Sequence, residues 1–174
     1  MNDPHLLENP SAWVARFAPM IPRKGPVLDL ACGTGRHTRL LAGLGHPVLA
    51  VDVDVSRLGA IAVLPGVTVQ QADMEGAPWP FTDDRFAGIV VTNYLHRPLF
   101  PKLLAALDAG GVLIYETFAI GNEKFGRPSN PDFLLAPGEL LEVVRGAARV
   151  VAFEDLIVSE PKPAAVQRIC AVHL

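Results

Sequence analysis

The chain has 174 residues, half of them apolar, a formal net charge of −3 and a pI of about 5.9. That is enough for one domain with a buried core, and the acidic balance supplies no basic face for the phosphates of a nucleic acid. Its apolar runs stop well short of the roughly 18 residues of a membrane span, and MNDPHLLENP lacks the basic start and apolar middle of a signal peptide. The two cysteines, Cys32 and Cys170, are too few for a disulfide framework, so reduced thiols and a cytoplasmic location are expected.

In chain order, Ser11 is placed to cap a short helix whose Trp13, Val14 and Phe17 share one face, and residues 1–25 read as an N-terminal helical cap. VLDLAC is a first strand. A helix over 36–44 follows, with His37, Leu40, Leu41 and Leu44 on its buried face and Arg36, Arg39 and Gly43 outward. PVLAVDVD is a second strand, apolar enough to be covered on both faces, and Ser56 is the candidate cap of a short helix after it. VTVQQAD and FAGIVVTNYL are the third and fourth strands. Phe100, Leu103, Leu104 and Leu107 recur at helical spacing, and DAGG then turns the chain into a fifth strand, VLIYETF. An irregular stretch, 119–137, precedes a last helix in PGELLEVVRG. RVVAFEDLIV and AVQRICAVHL, joined by SEPKPAA, suit a terminal hairpin with an antiparallel last strand. Strands alternating with helices predict a doubly wound, mostly parallel α/β sheet with helices on both faces.

Ligands of such sheets bind beyond the carboxyl ends of the strands, where the strand order reverses. Gly33 and Gly35 let the first strand turn sharply there and come close to a ligand. A dinucleotide fingerprint wants a third glycine where this chain has Thr38, and a carboxylate in the strand, Asp29, is an odd neighbour for a pyrophosphate. A nicotinamide oxidoreductase would also need a proton donor such as Tyr-x-x-x-Lys, which neither Tyr94 nor Tyr115 provides.

LDLACGTG resembles motif I of the class I S-adenosylmethionine-dependent methyltransferases, an acidic residue followed by a glycine-rich turn. Ala31 stands where that family most often has its first glycine. The resemblance covers nearly the whole chain and implies a single methyltransferase domain with seven strands in the family's order. It further implies cofactor contacts from Asp29, Ala31, Gly33 and Gly35, ribose binding by Asp52 beside Val53, and adenine contacts near Asp73 and Met74. Asn93 would lie along the methionine moiety. S-adenosylmethionine is a sulfonium of net charge about +1, which a cleft ringed by Asp29, Asp52 and Asp73 complements. Chain size and layout also resemble the small bacterial branch that includes tellurite-resistance-like and thiopurine-like enzymes.

On the acceptor side, NYLHRPLF leaves the sheet's carboxyl edge. His96 is the candidate general base there, and Tyr94, Arg97, Phe118 and Phe125 are candidate acceptor contacts. The 119–137 loop reads as acceptor-side, with Phe125 and Phe133 able to close over a substrate. NYLH is not the Asn/Asp-Pro-Pro-Tyr/Phe motif of enzymes that methylate nucleobase or glutamine amide nitrogens. A small-molecule acceptor, no nucleic-acid or membrane partner, no metal, and a monomer or homodimer are therefore expected. A non-catalytic cofactor binder or sensor is the alternative.

Overall fold

The computed structural model describes residues 9–174; the first part of the expected 1–25 cap lies outside the described residues. Seven strands form one sheet: β1 (Val27–Leu30), β2 (Val48–Asp52), β3 (Val67–Gln71), β4 (Phe86–Thr92), β5 (Leu107–Phe118), β6 (Ala148–Val158) and β7 (Ala164–His173). Their order is β3-β2-β1-β4-β5-β7-β6. β1 through β5 pair in parallel, and β7 runs antiparallel to both β5 and β6. The chain therefore winds outward from β1 to β3, returns to the other side of β1, and leaves a crevice where the winding reverses.

Alternation along the strands sorts side chains into two layers. Leu28 and Leu30 of β1, Ile89 and Val91 of β4, and Leu113 and Tyr115 of β5 face one core, beneath α3 (Phe100–Ala105) and α4 (Glu139–Val144). Val27, Val90 and Ile114 face the other, beneath α1 (Ala12–Phe17) and α2 (Arg36–Gly43). Ser11 caps α1 as expected, accepting from the N–H groups of Trp13 and Val14, and Trp13, Val14 and Phe17 are all buried. Among the described residues, no helix is long and apolar enough to cross a membrane.

Local departures from the sequence reading have local causes. α2 ends at Gly43, so Leu44 is exposed, and the buried residues of the helix are His37, Thr38 and Leu41. The cap of the 3₁₀ segment Val55–Val63 is Asp54 rather than Ser56: its carboxylate accepts from the Ser56 N–H and hydroxyl. α3 stops at Ala105 because the Ala106 carbonyl is already taken by the Phe86 N–H, which draws Leu107 into β5.

Gly35 begins α2 at φ +78°, and a Cβ there would lie 2.6 Å from Leu58 Cδ2 and 3.0 Å from Ile61 Cγ2. Its lack of a side chain lets the Val55–Val63 segment pack over the turn, not a ligand approach it. Gly35→Ala should thus combine left-handed backbone strain with overpacking and destabilise by about 2–4 kcal/mol. A lower urea midpoint with unchanged slope is the expected readout; an unshifted midpoint would refute the packing assignment.

Candidate active site

A cleft of about 580 Å³ opens beyond β1, β2 and β4, within the roughly 300–1,000 Å³ usual for small-ligand sites. Its floor is the turn after β1, where Ala31 (φ +55°) and Gly33 (φ +56°) both adopt the left-handed region. Glycine takes this conformation freely; alanine at the first of these positions holds it at a cost of about 1–2 kcal/mol. Asp52, at the end of β2, accepts from the Gly33 N–H through Oδ2 (2.8 Å) and from the Asp54 N–H through Oδ1 (3.0 Å). Each carboxylate oxygen keeps a further lone pair for a ligand. Val53 is exposed beside it on the same wall.

Asp73 and Met74 also line the cleft. Asp73 Oδ1 accepts from the N–H groups of Glu75 (2.9 Å) and Gly76 (3.0 Å), which hold its carboxyl below the usual range. Glu75, Arg36 and Arg57 complete the charged part of the wall.

Asp29 is not on that wall. It points between the sheet and α2, is 2% exposed, and accepts from the Thr38 hydroxyl at 2.6 Å. Burial pushes its carboxyl up to about 7, against the opposing pull of the Thr38 hydroxyl and N–H and the Arg36 charge. The expected ring of Asp29, Asp52 and Asp73 is therefore Asp52, Asp73 and Glu75, facing two arginines. Arg36, expected to look outward, lines the cleft and donates to the Asn9 carbonyl. His37 is buried, as its place on the helix implied. Its Nε2 accepts from the Ser11 N–H (3.0 Å), and burial foremost, with the Arg36 charge, pulls its pKa down to about 3. The ring also lines the cleft.

Asn93 (φ +53°), Tyr94 and Glu75 separate this cleft from a second cavity of about 230 Å³. Phe118, Thr117 and Phe133 form its other walls, whereas Phe125 is exposed and lines neither cavity. The Tyr94 hydroxyl donates to Glu75 Oε1 (3.2 Å), and the Tyr94 carbonyl accepts from the Tyr115 hydroxyl (2.6 Å). His96 lies on neither wall. Arg97 is committed elsewhere: Nε and Nη2 donate to the two Glu139 carboxylate oxygens (2.6 and 3.0 Å), Nη1 to the Asp132 carbonyl and Nη2 also to that of Leu134. It fastens the segment bearing Phe133 instead of meeting an acceptor. The 119–137 stretch is likewise tied down, with buried Asn122 bonded to the Pro128 carbonyl and the Ala165 N–H.

Residues 27–111 match the family model described as a methyltransferase domain. The trans-aconitate 2-methyltransferase of Rhizobium meliloti (strain 1021) is 33% identical over 94 residues, which is 51% of this chain and 37% of that enzyme. The chain thus spans little more than a third of the length of this relative. Among solved structures, TehB from Haemophilus influenzae superposes with a TM-score of 0.75 at 18% identity, over 93% of this chain and 61% of that one. The glycopeptide N-methyltransferase MtfA, complexed with S-adenosyl-L-homocysteine, does so with a TM-score of 0.63 at 24% identity, over 93% and 89%. At those identities the structures attest the shared fold.

Residues 27–111 match a methyltransferase domain, and the sheet has the fold of these methyltransferase structures.

Three site features escaped the sequence. Thr38, which reads as a missing glycine, is the hydroxyl partner of Asp29. Glu75 lines both cavities from a turn in which Asp73 Oδ1 accepts from the Glu75 and Gly76 N–H groups. Arg97's partners lie 35 to 42 residues away, beyond any local pattern.

The buried carboxyl gives a pH test. Its folded pKa lies above the ordinary 3.8, so its contribution to stability is complete below about pH 4 and lost as pH rises through 7. Asp29→Asn removes that loss. Relative to the parent, it should gain stability between pH 4 and 7, on the order of 4 kcal/mol across the window. His37 has the opposite slope, its contribution present above 6.5 and lost as pH falls toward 3, but it is common to both proteins and cancels. Urea titrations at pH 4, 5.5, 7 and 8 measure the difference; a pH-independent difference would rule out a buried acid at Asp29.

Proposed function

We propose that the larger cleft binds S-adenosylmethionine and that the chain transfers its methyl group to a small molecule seated in the adjoining cavity. The observation that carries this reading is Asp52. Its two oxygens are fixed by backbone N–H groups from the turn after β1 and from the chain beyond β2, with lone pairs left side by side. That donor arrangement fits a vicinal diol, the recognition element of a ribose. When bound, S-adenosylmethionine supplies an electrophilic methyl group on a positively charged sulfur.

The chain's own residues would act as follows. Ala31, Gly33 and Cys32 bring bare backbone along the cofactor. Asp73, Met74 and Val53 flank its nucleoside end. Arg36 stands where a carboxylate can pair with it, and the backbone at Asn93 lies where the cleft meets the second cavity. Gly35 and Asp29 support the turn from beneath, since neither lines the cleft. The chain contributes alignment and exclusion of water, which suffice for in-line displacement by a good nucleophile. His96 is not assigned as the base, because it lies off both walls. Tyr94 and Phe118 remain acceptor contacts, Phe133 joins them, and Arg97 and Phe125 drop out.

Asp52→Ala should weaken binding of S-adenosylhomocysteine by about 1.5–3 kcal/mol through loss of charge-assisted hydrogen bonds. Asp52→Asn, which still accepts from the Gly33 N–H, should lose less. Calorimetry on proteins with matched circular dichroism measures both; an unaltered dissociation constant in the alanine variant would remove Asp52 from the site.

A further inference from the structure

The second cavity sets the charge of what it can hold. Among the described residues, its walls carry one charged side chain, Glu75, together with Tyr94, Phe118, Phe133, Thr117 and Asn93. Arg97, close by in sequence, spends its donors on Glu139 and two carbonyls. His96 and Arg127, the chain neighbours of wall residues Leu95 and Pro128, do not line it. An acceptor carboxylate placed here would face the Glu75 carboxylate between aromatic walls, with no Lys, Arg or His among the residues that line the cavity. At about 230 Å³ the cavity is also smaller than the roughly 300 Å³ at which drug-sized sites begin, so it suits a single ring.

Resting on the two-cavity reading above, we infer that the acceptor is a single-ring amine, neutral or cationic, and that carboxylates are excluded. Aromatic walls hold the flat body, and a cationic nitrogen gains from both the ring faces and the Glu75 carboxylate. For transfer, the nitrogen must present its unprotonated lone pair. That pair forms the new N–C bond as the methyl carbon–sulfur bond breaks, and the electrons of the broken bond stay on sulfur, leaving a neutral thioether. The methylated nitrogen carries the positive charge and returns to neutrality by giving a proton to water. The trans-aconitate 2-methyltransferase relative is named for a polycarboxylate. The acidic wall separates this chain from that acceptor class.

The test uses the full chain saturated with S-adenosylhomocysteine, its binding first established by calorimetry. Dissociation constants of benzylamine, benzyl alcohol, benzoate and trans-aconitate are then measured by NMR titration. Benzylamine should bind at least tenfold more tightly than benzoate, with benzyl alcohol between them and trans-aconitate not bound. Glu75→Gln should shrink the benzylamine-to-benzoate ratio at least fivefold while the fold, by circular dichroism, is kept. Benzoate or trans-aconitate binding as tightly as benzylamine overturns the charge assignment, and so does failure of all four ligands on the loaded protein. Absence of S-adenosylhomocysteine binding is a separate failure, which sinks the cofactor reading and this one with it.

Discussion

The contact on which the site depends is the one between Asp52 and the Gly33 N–H, 2.8 Å long and spanning 19 residues of chain. β1 and β2 are already neighbours in register, from Val27 beside Val48 to Leu30 beside Val51. Beyond those pairs the two backbones diverge, one into α2 and one into the Val55–Val63 segment. The carboxylate bridges the divergence and leaves its remaining lone pairs at the mouth. Parallel strands cannot be joined by a tight turn, so a side chain must bind together what the ladder no longer holds.

Beneath that contact lies a second carboxyl with the opposite character. Asp29 is sealed in and held by Thr38, whereas Asp52 is open and held by main-chain donors. The two acids sit one strand apart, and burial pushes the inner one up to about 7. The inner acid braces the start of α2 against β1, and the outer one faces the cleft. A single acidic ring, the reading suggested by charge alone, merges two different tasks.

Much of the architecture was legible because it rests on patterns that repeat locally. The glycine turn, the apolar strands, the Ser11 cap and the short Pro-rich link to an antiparallel β7 are all written within a few residues of where they act. The helical spacing through Leu107 misled because β-pairing at Ala106 outweighed periodicity, and Leu44 misled because a helix end turns away from the face it continues. Around the second cavity little was legible. Arg97 looks like a free cation in sequence, but Glu139 and two carbonyls claim it from a distant segment. Phe125 and Phe133 look equivalent in sequence, and only the anchoring of the loop decides that Phe133 faces the second cavity.

The two cavities share part of their walls. Glu75, Asn93 and Tyr94 belong to both, but Phe118 and Phe133 touch only the smaller, and Asp52 and Gly33 only the larger. Replacing the two aromatic surfaces would change what the smaller cavity admits without touching the half that holds Asp52 and Gly33. The shared trio of Glu75, Asn93 and Tyr94 is where a change in one cavity reaches the other.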